Sequence, residues 1–229
     1  MKARDVMVSP VITVKPYSSV RELAQTLLKH HISAVPVVDD QEKLIGIVSE
    51  GDLLRRSEAG TEHQRPWYRL LLSGGQTLAA EYIKAHAHKV GDLMVREVVT
   101  AGPDTPLDEI ATLMEKNSIK RVPIVRDGQL VGIVTRANLI QAVASKRIGL
   151  EVEGVDAAIR DKLLAHLNAQ PWAHTALLNV TVSGGVVDLW GMVPSETERK
   201  AVRVAAESMA GVHAVNDHLV VYRRHLAEA

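Results

Sequence analysis

The sequence predicts a mixed α+β or α/β protein with two tandem β-α-β-β-α repeats and a small α-β-β-α-β domain. The first observation is a stretch, residues 44–54, that returns as residues 130–140 with the same order of apolar and polar positions. The second is that the neighbouring apolar segments recur in the same order. The third is a change of composition near Glu151, where the repetition ends. Recurrence over this length indicates an internal duplication.

Each copy of the repeated stretch indicates a strand, a tight turn and the start of a helix. An apolar run rich in β-branched residues, typical of a buried strand, ends at Ser49 or Thr135. A hydroxyl at that point can cap a helix, and Asp52 or Asn138 follows three positions later. The free N–H groups and positive end of a helix suit a phosphate, and a carboxylate beside them suits a ribose hydroxyl. We therefore interpret the two corners as the frame of a nucleotide-sensing cleft.

Composition narrows the class of protein. The 229 residues are 46% hydrophobic with no Phe, so the core consists of Val, Leu, Ile, Ala and Met. Lys and Arg number 27, as do Asp and Glu, which gives no overall attraction to nucleic acid, and we expect no DNA binding. The chain has no Cys, hence no disulfide or thiolate site. No apolar run approaches the ~20 residues of a membrane span, and no signal peptide is evident, so we expect a cytoplasmic protein.

The first repeat is assigned to residues 1–56. A short strand is predicted at residues 11–14, and a turn ending at Ser19 leads into a helix. A loop then enters a strand that ends at Val38, and the organising strand follows. The apolar face of the predicted helix comprises Val20, Leu23, Ala24, Leu27 and Leu28.

The second repeat is assigned to residues 90–147. Met94 corresponds to Met7 and Pro123 to Pro36 at one constant offset. Its helix begins with Thr105 as the predicted cap, followed by a first-turn proline and an acid suited to a capping box.

Residues 57–89 form an inserted segment between the repeats. Trp67 and Tyr68 lie beside arginines, which favours a partner-docking or lipid-touching segment. The alternative, a strand or helix packed on the repeat pair, is the more common use of such a stretch.

Residues 151–223 form the C-terminal domain. Val155, Ile159, Leu163 and Leu167 are spaced by one helical turn. Two alternating runs joined by a Gly-containing turn predict a hairpin. Ser195 and Glu198 form the pattern of a capping box, and a last strand covers residues 216–222.

Both repeats resemble the cystathionine-β-synthase-type (CBS) domain. The resemblance lies in residues 32–37 with 46–52, and in residues 119–124 with 132–138. It implies a pseudo-two-fold pair of units packed by their sheets, frequent homodimerisation, and adenosine ligands in clefts between the units.

The C-terminal domain resembles the BON domain, a small module first seen in osmotically induced bacterial proteins. The resemblance lies in residues 178–182, 187–193 and 211–219. It implies contact with phospholipid or a partner protein. Basic residues of the second helix could face anionic headgroups, but acids on the same helix favour a solvated, balanced face. The basic residues are Arg199, Lys200 and Arg203, and the acids are Glu196, Glu198 and Glu207.

The CBS resemblance implies ligand-binding residues in the first repeat. Asp52 would accept ribose hydroxyls and Ser49 would meet a phosphate. The alternative is that Asp52 only completes a capping box with Ser49, and both roles are compatible. Backbone groups and an apolar wall for an adenine would come from Ser33, Ala34 and Val35, and Thr13 is a weaker candidate.

The second repeat departs from the family pattern. Thr135 keeps the hydroxyl, but Asn138 lacks the charge that strengthens two hydroxyl contacts. This site is therefore weaker, differently selective or empty. Lys120 and Arg121 could contact a phosphate, or could simply be solvated. Val122 and Thr100 complete the candidate set.

Other chemistry has little support in the sequence. His30-His31 and His86-Ala87-His88 do not share a helix face, which disfavours a metal site. No nucleophile elbow or Walker loop is present. We therefore expect a non-catalytic regulatory protein that binds AMP, ADP, ATP or S-adenosylmethionine. The alternative is a structural adaptor or dimerisation platform with an empty cleft.

Overall fold

The computed structural model describes residues 1–54, 86–145 and 153–222. Their backbone forms two compact units. The first unit holds the described part of residues 12–98 together with residues 127–130. The second unit holds residues 1–11 and 99–126 and the described part of residues 131–229. Most of the predicted insertion, residues 57–85, lies outside the described residues.

The first unit begins with helix α1, Val20–Lys29. Ser19 caps it reciprocally with Glu22: Oγ accepts from the Glu22 N–H at 3.2 Å, and the Ser19 N–H donates to Glu22 Oε2 at 2.8 Å. Leu23 and Leu27 are buried as predicted, but Leu28 is 76% exposed. The predicted apolar face is therefore too wide by one residue.

Strands β1, Ala34–Val38, and β2, Leu44–Ser49, form an antiparallel hairpin that leads into helix α2, Glu50–Leu53. The strand predicted at residues 11–14 is reduced to one parallel bridge, between Val14 and Val37. The Val14 N–H donates to the Pro36 carbonyl. Pro36 and Pro16 have no N–H to extend this ladder in either direction, so the strand ends after a single pair.

The opening segments of the two repeats are exchanged between the units. Helix α3, Val90–Leu93, starts the second repeat but lies in the first unit, where Val90 and Leu93 join the core. Conversely, residues 1–11 lie in the second unit, where Val8 pairs with Ile133. Each unit thus combines the opening segment of one repeat with the body of the other.

The repeat part of the second unit contains helix α4, Leu107–Lys116, strands β3, Arg121–Arg126, and β4, Gln129–Thr135, and helix α5, Arg136–Ser145. The prediction that Thr105 caps α4 is wrong. Pro106 occupies the N-cap position, and Thr105 Oγ1 instead accepts a hydrogen bond from the Gly102 N–H at 3.1 Å.

The C-terminal part of the second unit has the predicted α-β-β-α-β order. Helix α6 is Glu153–Asn168, strands β5, β6 and β7 are Leu178–Ser183, Val186–Val193 and Ala214–Val221, and helix α7 is Glu196–Glu207. The hairpin β5–β6 is antiparallel, and β7 pairs with β6 in parallel. The domain has its own core, which the helices and one sheet face share.

At the start of α7, only one of the two hydrogen bonds of the predicted capping box is present. Ser195 Oγ accepts from the Glu198 N–H at 3.1 Å, as expected for an N-cap. The Glu198 carboxylate does not return to Ser195, because its oxygens accept from the backbone N–H and ring Nδ1 of His174 at 2.7 and 2.9 Å. Glu198 therefore ties α7 to the loop before β5.

Candidate functional site

In the first corner, defined by Ser49 and Asp52, the two residues hydrogen-bond to each other at the end of β2. Asp52 Oδ2 accepts from both the Ser49 N–H, at 3.0 Å, and the Ser49 Oγ, at 2.9 Å. Both residues are half-buried. The capping contact between Asp52 and Ser49 is therefore present, and the carboxylate stands at a partly accessible position beside the first turn of α2.

The structure brings the other first-repeat candidates to the same hairpin. Ala34 lies opposite Ser49, and Val35 lies opposite Val48. The Ser33 carbonyl accepts from the Glu50 N–H at 3.0 Å, so the loop before β1 is fixed to the corner. Thr13 immediately precedes the bridge on the other edge of β1. These candidates thus belong to one unit, and all lie on one hairpin or directly beside a residue that contacts it.

The second corner, defined by Thr135 and Asn138, has the same hydrogen-bond pattern in a more buried setting. Asn138 Oδ1 accepts from the Thr135 N–H at 2.7 Å and from Thr135 Oγ1 at 2.8 Å. Asn138 is only 4% exposed. Its Nδ2 donates to Gln141 Oε1 at 3.2 Å. The amide of Asn138 is therefore engaged at both ends.

The remaining second-repeat candidates flank this corner. The Lys120 carbonyl accepts from the Arg136 N–H at 3.2 Å, the counterpart of the Ser33 contact in the first repeat. The Lys120 side chain is exposed, Arg121 is half-buried and Val122 is fully buried. Thr100 is half-buried and immediately precedes the residue that bridges to β3.

Sequence reasoning missed two polar contacts that surround the second corner. Gln141 follows Asn138 by three positions, a spacing that places two side chains side by side on a helix and could have been noticed. The second contact of Gln141 could not have been predicted from local spacing, because its partner lies 38 positions away: Asn179 Nδ2 donates to Gln141 Oε1 at 2.7 Å. Ser145 Oγ and Thr181 Oγ1 also lie 2.7 Å apart.

Arg160 is another residue that no local sequence pattern singles out. It is 4% exposed, and among residues 1–54, 86–145 and 153–222 no carboxylate lies at hydrogen-bond distance from it. Nε donates to the Val180 carbonyl at 2.8 Å, Nη1 to the Arg4 carbonyl at 2.8 Å and Nη2 to the Met7 carbonyl at 2.7 Å. Burial lowers the pKa of Arg160 from its ordinary value, against the opposing effect of Asp161 and Asp5.

Within residues 1–54, 86–145 and 153–222, no three His, Cys, Asp or Glu side chains come together in a way that could hold a metal ion. No helix among those residues has both the length and the apolar character that spanning a membrane requires.

The fold and the two corners define a duplicated module in which each repeat ends a hairpin at a hydroxyl–carboxylate or hydroxyl–amide pair, followed by a small three-stranded domain. The CBS domain family model matches residues 3–59 and 90–145, and the BON domain model matches residues 155–222. The chain therefore belongs to the CBS-domain proteins and carries a tandem CBS pair followed by a C-terminal BON domain.

Known proteins share the CBS part. Uncharacterized protein MJ1426 of Methanocaldococcus jannaschii is 33% identical over 158 residues, which is 62% of this chain and 91% of that protein. Inosine-5'-monophosphate dehydrogenase of the same organism is 30% identical over 141 residues, 61% of this chain, but the match spans only 23% of that enzyme. The resemblance to this enzyme is thus confined to a part of it.

A solved structure shares both sequence and fold with the CBS pair. CBSX2 of Arabidopsis thaliana is 31% identical over 135 residues, which is 56% of this chain and 57% of that protein. The crystal structure of CBSX2 in complex with AMP superposes with a TM-score of 0.54 at 29% identity, and covers 62% of this chain and 96% of that one.

Proposed function

We propose that this protein is a non-catalytic regulatory protein whose CBS pair binds an adenine nucleotide, AMP, ADP or ATP, or the related ligand S-adenosylmethionine. The observation that carries the proposal is the first corner. There a half-buried carboxylate, Asp52, is oriented by two hydrogen bonds from Ser49 at the end of a hairpin. A charged acceptor held in this way is suited to two vicinal hydroxyls, because ionised acceptors make the stronger hydrogen bonds.

Each first-repeat candidate has a distinct role in this proposal. Asp52 accepts from the ribose hydroxyls, and Ser49 contacts a phosphate. Ser33, Ala34 and Val35, which the hairpin places beside Ser49, present backbone groups and an apolar wall to the adenine. Thr13 contributes a hydroxyl from the other edge of β1.

The likeness to CBSX2, crystallised with AMP, supports an adenosine ligand. A second site is proposed at the equivalent positions of the second repeat, with weaker binding because Asn138 is neutral and 4% exposed. Its candidate residues are Thr100, Lys120, Arg121, Val122, Thr135 and Asn138.

Calorimetry with AMP, ATP and S-adenosylmethionine tests the proposal on the full chain. We expect wild-type protein to bind at least one of the three, and Asp52→Ala to bind it at least tenfold more weakly. Asp40→Ala is the matched control, since Asp40 is an exposed acid of the same repeat that accepts from the Tyr17 hydroxyl at 3.0 Å. This control should bind as wild type does.

Thermal unfolding gives an independent measurement. A ligand that binds only the native state at about one hundred times its Kd stabilises that state by about 2.7 kcal/mol. If none of the three ligands binds or raises the unfolding midpoint, the nucleotide-sensing role is excluded, and the structural adaptor with an empty cleft takes its place.

We further propose that the protein is a cytoplasmic homodimer and that the BON domain contacts phospholipid or a partner protein. The basic residues of α7 are partly neutralised, because Arg199 Nε lies 2.9 Å from Asp217 and Arg203 Nε lies 3.6 Å from Glu207. These ion pairs favour a partner protein over an anionic surface. Full-length protein that floats with phosphatidylglycerol vesicles but not with phosphatidylcholine vesicles would establish the lipid contact, and light scattering tests the dimer.

A further inference from the structure

We propose that docking of the BON sheet on helix α5 closes the second corner, so that BON docking and ligand binding at Asn138 oppose one another. This inference rests on the proposed function, because it concerns the regulation of the second predicted ligand corner. It follows from a chain of three side-chain amides, Asn138, Gln141 and Asn179, which we call the amide chain.

Gln141 is the centre of the amide chain. Its Oε1 accepts from Asn138 Nδ2 at 3.2 Å and from Asn179 Nδ2 at 2.7 Å. Asn138 belongs to the corner, Gln141 to α5, and Asn179 to strand β5 of the BON domain. One oxygen atom therefore joins the candidate ligand corner to the BON sheet.

The corner fixes the orientation of all three amides. Thr135 donates twice to Asn138 Oδ1, so Nδ2 is the end of Asn138 that faces Gln141. An amide carries its donors and acceptor on opposite atoms, so Gln141 must present oxygen to Asn138, and Asn179 must present nitrogen to Gln141. An aspartate, as at position 52 of the first corner, has no donor with which to start this order.

The docked arrangement leaves Asn138 unable to serve a ribose. Its oxygen accepts both hydrogen bonds from Thr135, one of its two Nδ2 hydrogens is donated to Gln141, and the residue is 4% exposed. Because so little of Asn138 is exposed, a ligand hydroxyl gains access to Nδ2 by displacing Gln141, its neighbour on α5. That displacement removes the partner of Asn179 and so weakens one of the contacts that hold the BON sheet.

The face of the BON sheet that contacts α5 contains buried polar atoms without hydrogen-bond partners among the described residues. Within the described ranges, two buried side-chain oxygens have no hydrogen-bond partner, Asn179 Oδ1 and Asp188 Oδ2. Both lie on one face of the sheet, because Thr181 is two residues from Asn179 and pairs directly with Asp188. Buried polar atoms without partners raise the free energy of a state. Release of this face therefore restores water to two acceptors and is easier than release of a fully paired one.

Gln141→Ala tests the closure directly in the full chain. This change removes the acceptor that holds Asn138 without altering either corner residue. By calorimetry with AMP, we expect wild type to bind one AMP per chain. Gln141→Ala should bind a second AMP, with an affinity at least tenfold higher than that of any second AMP bound by wild type. Gln25→Ala is the matched control, since Gln25 is an exposed helical glutamine of the first repeat. This control should keep one AMP per chain.

Trp190 reports on docking independently of the ligand. Its indole Nε1–H donates to Thr181 Oγ1 at 3.1 Å, and Thr181 Oγ1 also contacts Ser145 at the end of α5. The indole N–H resonance of Trp190 should shift in Gln141→Ala but not in Gln25→Ala. Because linkage is reciprocal, AMP at concentrations that fill the second corner should move the wild-type resonance in the same direction.

The outcomes separate this inference from the proposed function. Two AMP per wild-type chain with equal affinity, or a second site that neither Gln141→Ala nor Asn179→Ala reveals, overturns the closure but leaves nucleotide binding in place. Absence of binding by AMP, ATP and S-adenosylmethionine in all variants overturns both. If Gln141→Ala fails to fold, Asn179→Ala makes the same test from the BON side.

Discussion

Arg160 Nη2 donates to the carbonyl oxygen of Met7 at 2.7 Å across 153 positions of the chain. With its contacts to the carbonyls of Arg4 and Val180, the guanidinium connects the BON helix α6 to the exchanged N-terminal segment and to strand β5. Three neutral acceptors thus surround one buried cation. The BON domain is integrated into the second unit through this residue as well as through the amide chain.

Replacement of Arg160 by methionine should destabilise the second unit strongly. Methionine retains apolar volume but leaves three carbonyls without their charged donor, and hydrogen bonds to charged groups contribute about 1.5–3 kcal/mol each before relaxation. We expect a loss of about 3 kcal/mol in the free energy of unfolding, measured by urea denaturation.

Arg203→Met is the control for this prediction. Arg203 lies on the exposed face of α7 in an i,i+4 pair with Glu207, and exposed pairs contribute about 0–1 kcal/mol. Equal effects of the two replacements would show that the carbonyl contacts of Arg160 do not stabilise the unit.

Two glycines, Gly46 in β2 and Gly132 in β4, allow the exchanged opening segments of the repeats to pack closely against these strands. A Cβ at Gly46 would lie 2.6 Å from Met94 Sδ and 3.1 Å from the Val95 carbonyl, and a Cβ at Gly132 would lie 2.8 Å from Met7 Cγ. Gly46→Ala and Gly132→Ala should each lower the free energy of unfolding by about 1–3 kcal/mol, the usual effect of overpacking. Thermal or urea unfolding measures both.

Gly154→Ala provides the opposite expectation. Apart from its chain neighbours and the backbone of its own helix, no atom of the described residues lies within 4 Å of the position of its Cβ, and the residue is helical. Because alanine favours a helix over glycine by up to about 1 kcal/mol, this variant should be as stable as wild type or more so. A loss of stability in Gly154→Ala, or none in Gly132→Ala, would contradict the argument.

Local patterns were enough to predict the repeats, the element order and the first corner. Ser19 and Ser195 cap their helices as predicted, because capping depends on residues a few positions apart. The exchange of opening segments could not be predicted, since Met7 and Met94 occupy equivalent positions in the repeats and either would suit either glycine. Apolar spacing identifies which residues are buried but not against which copy of a repeat.

In the candidate site too, local patterns predict some contacts, whereas others depend on residues far away in the chain. The Ser49–Asp52 contact follows from a three-residue spacing, and the structure contains it. The environment of Asn138 depends on Asn179, 41 positions away in a different domain, and no local pattern carries that information. The sequence could therefore predict that the second corner departs from the first, but not that its amide faces the BON domain.

The start of α7 offers a prediction on helix capping. Glu198 is 7% exposed and accepts from His174, whereas Ser195 accepts from the Glu198 N–H. Ser195→Ala should cost about 1 kcal/mol of unfolding free energy. Glu198→Ala should cost more, about 2 kcal/mol, because it removes a buried carboxylate that accepts from both the backbone N–H and the ring of His174. Glu196→Ala, at an exposed acid one position into the helix, should change stability by less than about 0.5 kcal/mol. A Glu198→Ala variant as stable as Glu196→Ala would refute the tie to His174.

His30, at the end of α1, should make stability depend on pH. Burial, together with the positive charges of Lys29 and His31, lowers the pKa of His30 below its ordinary value of 6.5. The unfolded chain therefore binds a proton at a higher pH than the folded chain does, so the contribution of His30 is fully present above pH 6.5 and is lost as the pH falls through the folded pKa. The difference in unfolding free energy between wild type and His30→Gln should shrink from pH 7.5 to pH 5, as measured by urea denaturation at a series of pH values. His166→Gln, at an exposed histidine of α6, serves as the control. If the unfolding free energies of wild type and His30→Gln change in parallel with pH, this role for His30 is excluded.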